Sequence, residues 1–450
     1  MAARLFDLNI EEVLDNWEVS HALREIISNA FDEQALSATD DVLISKDGDG
    51  RWSISDFGRG LRIEHFTLNE NQEKLAASSG VIGKFGVGLK DALATFHRRG
   101  VGVTIASTHG AFTLEQTHKH GFDDITTLHV RYDETAIGRS GTSFTFEGVS
   151  DAQMEEAKNL FLRFGDEELL ERTRYGEVLS GSGGGGRVYI SGVFASEEPN
   201  FLFSYNVTNL TDAMKKRLNR ERLNVGRTTY SDRVKSMLKE AASGAVRSRL
   251  ADEIKRRSKG PPRDELTWID IALVALTHLA RTAEVIFVTE QELHRSPDVM
   301  DHARRDGLEI VLVTSAEKTK LVEQAEAGGE VTRTFENYVE EFNQSFSYTF
   351  VEREQLTPEE REVLALTASL MRLVGVTAKR GPRVLVSETM RMTVDDTGGV
   401  WDPELVAIVI KRDVLRTRLG YASTLLHEVA HATTGTIDAT RAFEAVLTDY

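Results

Sequence analysis

The segment HALREIISNAFDEQ, residues 21–34, carries two stripes at helical spacing. Leu23, Ile26, Ile27 and Ala30 form an apolar stripe that must lie on a core. Glu25, Asn29 and Asp32, four and three residues apart, form a polar stripe beside it. An asparagine in mid-helix gives up helix propensity, so packing alone leaves it unexplained. Glu and Asn one turn apart on an exposed face could hold a water and a hard cation. The plain alternative is an ordinary amphipathic helix.

Two glycine motifs shift that balance. SISDFGRGL ends a predicted strand with Asp56, followed by Gly58 and Gly60. GVIGKFGVGLKDAL places Gly83, Gly86 and Gly88 just before a helical pattern that starts at Leu89. Glycines let backbone approach phosphates, and a helix N-terminus favours their charge. No strand runs directly into the second motif, so it is not the dinucleotide fingerprint.

The ordered set is E-x-x-x-N-x-x-D, D-x-G-x-G, G-x-x-G-x-G-L, then Gly141-Thr142 in a strand. It resembles the GHKL ATPases, the family of gyrase, MutL, MORC proteins, heat-shock chaperones and histidine kinases, over about the first 150 residues. The resemblance implies a Bergerat-type α/β sandwich that binds ATP and Mg2+. Glu25 matches the carboxylate that activates water, and Asn29 matches the Mg2+ ligand. Asp56 matches the acceptor for the adenine amino group, with Thr142 as a supporting hydroxyl. Asp32, Gly58 and Gly60 line the nucleotide, and Gly83, Lys84, Gly86, Val87, Gly88 and Leu89 match the lid over the phosphates. Histidine kinases generally lack the water-activating carboxylate, so Glu25 favours hydrolysis. The family often has Ala after the motif's Asp, and Glu33 stands there instead. MutL-like relatives follow with a transducer domain supplying a basic residue to the γ-phosphate. Lys215, Lys216 and Arg220 fall in that order, and ATP-dependent homodimerisation is implied as possible.

The other end reads YASTLLHEVAHATTG, where His427, Glu428 and His431 spell H-E-x-x-H. On a helix the two histidines share a face and can reach one ion, with Glu428 adjacent as a proton acceptor. Chance places such a pattern in a chain of this composition roughly 3 % of the time. The segment resembles zinc hydrolases, in which a strand before the helix forms a rim for an extended peptide; LVAIVIKRDVL stands there. The metzincin pattern is not met. Glu444 is the expected third zinc ligand, as in the His2Glu type, with Asp438 the fallback and Asp449 a partner for a ligand histidine.

There is no cysteine, so a metal here needs His and carboxylate ligands. No signal peptide or membrane span is evident, which makes a cytoplasmic protein the expectation. A net charge of -17 argues against a surface built for nucleic acid. Between Lys215 and Lys259, however, fifteen Lys or Arg face five Asp or Glu. A solvated helical face is the plain reading of that segment; a docking surface for phosphate, nucleic acid or an acidic partner is the sharper one.

The chain thus reads as α+β, with four regions. Residues 1–150 form the ATP-binding domain and 151–262 a transducer-like domain with basic helices, ending at Pro261 and Pro262. Residues 263–380 form an α/β connecting region and 381–450 the zincin-like region. DAQMEEAKNLFLRF and TPEEREVLALTASLMRLVG read as continuous helices, and the Gly183–Gly186 run as a flexible connector or hairpin tip. The function expected is an ATPase whose nucleotide state controls a zinc endopeptidase acting on a protein or peptide. The alternative is an ATP-driven clamp for a client or nucleic acid, with the metal site structural.

Overall fold

The structure is a computed structural model. It describes residues 4–8, 17–66, 82, 88–119, 122, 124–134, 138–181, 184–217, 226–328, 332–376, 381–391 and 398–434. The chain is mixed α+β and divides into two compact units, residues 1–250 with 262–272, and residues 251–261 with 273–450.

The first unit opens on a seven-stranded sheet, entirely antiparallel, in the order β1-β6-β5-β4-β7-β3-β2. Its strands are β1 (Arg4–Asp7), β2 (Leu43–Lys46), β3 (Trp52–Ser55), β4 (Gly102–Ser107), β5 (Gly110–His118), β6 (Thr126–Asp133) and β7 (Thr142–Glu147). Two helices cover it, α1 (Val19–Ser37) and α2 (Gly88–Arg98). The predicted apolar stripe is what joins them: Leu23, Ile26, Ile27 and Ala30 are buried with Leu93 and Phe96 of α2 and Ile54, Ile105 and Phe146 of the sheet. Helix α1 stops at Ala38, whose left-handed φ of 50° lets its N–H return to the Gln34 carbonyl.

The chain then forms α3 (Asp151–Lys158), started by a capping box between Ser150 and Gln153. The continuous helix expected to Phe164 ends at Asn159. Phe161 is instead buried, bridged to Val193 and set edge-on against Phe31 at 5.6 Å. Tertiary packing of that ring overrides local helix propensity.

A second sheet follows, in the order β11-β10-β12-β9-β8. Its strands are β8 (Leu169–Thr173), β9 (Gly176–Ser180), β10 (Gly186–Ile190), β11 (Val193–Glu198) and β12 (Phe203–Val207). Only β10 and β12 run parallel. The glycine run leads into β10, and its last member is the first residue of that strand. A Cβ on Gly186 would stand 1.9 Å from the Phe203 carbonyl oxygen, so glycine is what lets β12 lie this close. Helix α4 (Ser231–Glu240) packs Val234, Met237 and Leu238 inward.

The second unit holds a parallel pair, β13 (Val285–Val288) and β14 (Glu309–Leu312). Helices α5 (Pro297–Arg305) and α6 (Phe335–Ser345) contribute Met300, Ala303, Phe335 and Tyr338 to its core. A three-stranded sheet comes next, in the order β15-β17-β16, formed by β15 (Arg383–Ser387), β16 (Gly399–Asp402) and β17 (Ala407–Lys411). The helix expected over 357–375 is two short ones, α7 (Pro358–Leu364) and α8 (Thr367–Leu373), broken at Ala365–Leu366. The last described element is α9 (Arg418–Thr434), which buries Tyr421, Leu425 and Val429 in this unit's core. No helix among the described residues is long and apolar enough to cross a membrane.

Candidate functional site

Helix α1 brings the first set of groups together. Glu25 and Asn29 are half-buried one turn apart, on the side of the helix away from its apolar stripe. Glu25 is held on two sides. Arg24, whose side chain is 1 % exposed, donates from Nε at 3.1 Å and Nη2 at 2.8 Å to Glu25 Oε1. The other oxygen lies against the start of α2: a Cβ on Gly88 would come within 2.2 Å of Glu25 Oε2. Glycine at this position leaves the carboxylate room at that helix N-terminus as it is placed. Leu89, the next residue, turns into the core.

Asp32 shares the polar stripe's spacing but, unlike Glu25 and Asn29, is fully buried. Its Oδ1 accepts the Ile82 backbone N–H, so it anchors the chain just ahead of the second glycine motif. A buried carboxylate keeps its place only with such donors. Gly83, Lys84, Gly86 and Val87 of the expected lid lie outside the described residues, as does Arg220.

The D-x-G-x-G turn is closely tied. Asp56 is buried where β3 ends, and its Oδ1 accepts the Gly58 N–H at 3.0 Å. Burial raises its pKa above the ordinary aspartate value, the Gly58 N–H opposes this, and the charge of Glu33 adds to it. Gly60 has a φ of +88°, in the region that favours glycine. The Thr142 hydroxyl accepts the Leu61 N–H at 2.9 Å, and its carbonyl accepts the Asp56 N–H at 2.9 Å. Thr142 therefore supports both ends of the turn. Gly141 before it has no room for a side chain, since a Cβ would sit 2.0 Å from the Asp56 carbonyl oxygen.

At the C-terminal site, Tyr421, Leu425 and Val429 set the buried face of α9, and the histidines fall two residues out of phase with them. That offset is about 200° at 3.6 residues per turn, so both imidazoles leave the core. His427 Nε2 and His431 Nε2 stand 3.2 Å apart. Two nitrogens bound at about 2.0–2.1 Å to one tetrahedral zinc would stand about 3.3 Å apart. The pair fits one ion. Glu428 is 4 % exposed; its Oε1 lies 4.0 Å from His427 Nε2 and its Oε2 accepts the Trp401 N–H at 2.8 Å. Gly399 lets the helix approach, because a Cβ there would meet Thr424 Cγ2 at 2.7 Å and Glu428 Cγ at 3.2 Å.

The strand expected to offer a free rim is corrected. LVAIVIKRDVL contains β17, which is central, with β15 and β16 using both of its hydrogen-bonding sides. The strand beside Glu428 is β16, at the edge of that sheet. Among the described residues no group of three or more His, Asp or Glu forms a metal-ligand set. Glu444, Asp438 and Asp449 lie outside the described residues.

Much of the charge in the basic segment is answered within the fold. Arg227 pairs with Asp264 at 2.7 Å, Lys239 with Asp270 at 2.5 Å, Arg257 with Glu317 at 2.8 Å and Lys215 with Asp212 at 3.2 Å. Sequence reading missed Arg24, Trp401 and the Gly398-Gly399 pair. The glycine pair at the start of β16 was the available signal, whereas nothing local marks Trp401.

The family described as the Mycoplasma pneumoniae MPN635 N-terminal domain matches residues 152–244, the stretch that holds the second sheet and α4. A Mycoplasma pneumoniae protein described as uncharacterized is 37 % identical over 244 residues, which is 53 % of this chain and 98 % of that protein. A second uncharacterized protein of the same organism is 24 % identical over 341 residues, 70 % of this chain and 94 % of its own length. This α+β chain thus belongs to the same family as the first of those Mycoplasma pneumoniae proteins.

Proposed function

We propose that the chain is an ATP-binding and ATP-hydrolysing protein of the GHKL type whose nucleotide state controls a zinc-dependent endopeptidase near its C-terminus. The observation that carries the first half is the meeting of Glu25 with Gly88. A carboxylate on one helix faces the N-terminus of a second, over an antiparallel sheet whose strand β3 is followed by a buried Asp56. This arrangement suits a Bergerat-type site. Asn29, an oxygen donor one turn from Glu25, fits a hard cation such as Mg2+. Glu25 then orients and deprotonates water while Arg24 fixes its orientation. Asp56 accepts from the adenine amino group.

The 3.2 Å histidine pair supports the second half. His427 and His431 would hold zinc with a third ligand, for which Glu444 is the candidate, in a zincin-like domain. Zinc bound there would supply Lewis acidity toward a peptide carbonyl and toward water. Glu428 takes up a proton and returns it to the leaving amine. The substrate is a protein or peptide segment, and homodimerisation on ATP is the expected mode of control. The clamp reading draws less support, since several cations of its basic segment, Arg227, Lys239 and Arg257 among them, pair with the fold's own carboxylates.

The test is zinc content by elemental analysis on wild type and His427→Ala, together with ATP turnover. About one zinc per chain, lost in the variant, supports the metal site, and no zinc in either removes the peptidase. Glu25→Ala should bind ATP without turning it over, and unchanged turnover removes Glu25 as the base.

A further inference from the structure

We infer that Glu33 is a positioning residue that sets the affinity of the site for adenine nucleotides, by fastening the helix of Glu25 and Asn29 to the turn that carries Asp56. The inference rests on the ATP-binding reading above and deepens it.

Glu33 lies on α1 immediately after Asp32 and reaches across to the turn. Its Oε1 accepts the Arg59 backbone N–H at 2.8 Å and Arg59 Nε at 2.9 Å, and its Oε2 accepts Arg59 Nη2 at 2.9 Å. Ser37, one helical turn further on, donates its hydroxyl to Glu33 Oε1 at 2.6 Å and braces the carboxylate from behind. Gly58 closes the fit: a Cβ there would stand 2.4 Å from Glu33 Cγ, so the turn lies directly on the side chain. Burial of this carboxylate opposes its ionisation. The Arg59 side chain, the Ser37 hydroxyl and the Arg59 N–H together bring its pKa down to about 2. An anion with four donors, two of them on a planar guanidinium, is a directional tie rather than a loose surface pair.

The turn it grips is the one that presents Asp56. Gly58 donates to Asp56 Oδ1, and Leu61 donates to Thr142 at the turn's far end. The Arg59 carbonyl meets His109 Nε2 at 3.0 Å, and Ser107 donates to the Leu61 carbonyl at 2.8 Å. Those ties join the turn to the sheet, whereas Glu33 joins it to α1. The carboxylate thus sets the spacing between the base-recognising group and the helix that serves the phosphates. Without it the turn samples other positions, and binding must first select the competent one. If that conformer falls to about one tenth of the population, Kd rises about tenfold.

The experiment is titration of wild type, Glu33→Ala, Glu33→Gln and Asp56→Ala with ATP and with ADP, in the presence of Mg2+, alongside steady-state turnover. Glu33→Ala should weaken ATP and ADP by the same factor, about tenfold, because the tie acts at the base end of the site. KM should rise more than kcat falls, and Glu33→Gln, which still accepts from the Arg59 N–H, should recover most of the affinity. Thermal unfolding of Glu33→Ala separates this from damage to the fold: a wild-type transition with weakened binding supports the inference. Nucleotide binding lost in Asp56→Ala but unchanged in Glu33→Ala overturns the role of Glu33 and leaves the ATP site standing. A fall in kcat at unchanged KM also overturns it. Absence of nucleotide binding by wild type overturns the ATP site and this inference together.

Discussion

The histidine pair of the C-terminal site comes from a single helix, while the N-terminal site is gathered from α1, the β3 turn, the start of α2 and the Gly141-Thr142 corner. In α9 the period of 3.6 alone brings His427 and His431 to 3.2 Å. Around α1, groups of the site depend on residues far along the chain: Asp32 on Ile82, Glu25 on Gly88, Thr142 on Leu61. Chemistry written within one helical turn is therefore separable from the fold, whereas chemistry spread over four segments is part of it. Substitutions at the first kind of site should cost function and spare stability; at the second kind, those that displace the packed backbone should cost both.

Glu428→Gln tests the separable side and has the largest expected effect. Under the proposed reading, peptide cleavage falls by about 10²–10⁴-fold, the range for loss of a general acid–base group. Zinc content should stay at the wild-type level, because Glu428 is not one of the ligands. The amide can still accept the Trp401 N–H, so the unfolding temperature should hold. Cleavage persisting in the purified variant would remove Glu428 as the proton acceptor.

Gly141→Ala tests the embedded side. The residue has a φ of +81°, and a Cβ would lie 2.0 Å from the Asp56 carbonyl oxygen, a backbone atom that cannot swing away. Backbone strain plus that collision should cost about 3 kcal/mol or more in urea unfolding. Under the proposed reading ATP affinity should fall with it, because Asp56 itself would be displaced. A stable variant with intact binding would break the contrast between the two sites.

The sequence made the locally periodic parts of both regions legible. The apolar stripe of α1, the strands β3, β4 and β7, and the helix bearing H-E-x-x-H all follow from local period. What it hid was tertiary. Asp32 shares the spacing of Glu25 and Asn29 and is nevertheless buried, because Ile82 offers it a donor fifty residues away. Phe161 ends α3 to pack on Phe31. The order β15-β17-β16 puts the most apolar of the three strands in the middle, and nothing in a single strand states which neighbours it will have.

Glu265 extends the comparison to a group in neither site. It is fully buried and accepts from the Leu202 N–H at 2.8 Å and the Tyr205 hydroxyl at 2.9 Å, tying residues 262–272 to β12. Burial, only partly offset by those donors, pushes its pKa up from 4.5 to about 7. The folded state then holds a proton that the unfolded chain has released between those values. Stability contributed by this group is present below pH 4.5 and is lost as pH rises through about 7, a change of up to about 3 kcal/mol. The urea midpoint at pH 7.5, relative to that at pH 4.5, should therefore be higher in Glu265→Gln than in wild type. An unchanged difference would place the titrating group elsewhere.

The smallest effect, and the finest probe of the contrast, is Thr142→Val set against Tyr421→Phe. Both remove one hydroxyl from a buried side chain. Thr142 Oγ1 is the acceptor for the Leu61 N–H, a backbone donor in the turn that carries Asp56. Removing it strands that donor and should cost about 1–2 kcal/mol, with, under the proposed reading, a matching loss of ATP affinity as the turn relaxes. The Tyr421 hydroxyl meets the hydroxyl of Thr367, which also donates to the Leu364 carbonyl. Thr367 therefore keeps a partner in Tyr421→Phe, and the cost should be about 0.5–1 kcal/mol with zinc content unchanged. If Tyr421→Phe lowers zinc binding as much as Thr142→Val lowers ATP binding, the histidine pair depends on its surroundings as closely as the N-terminal site does, and separability would then be a property of the motif's spacing in sequence alone.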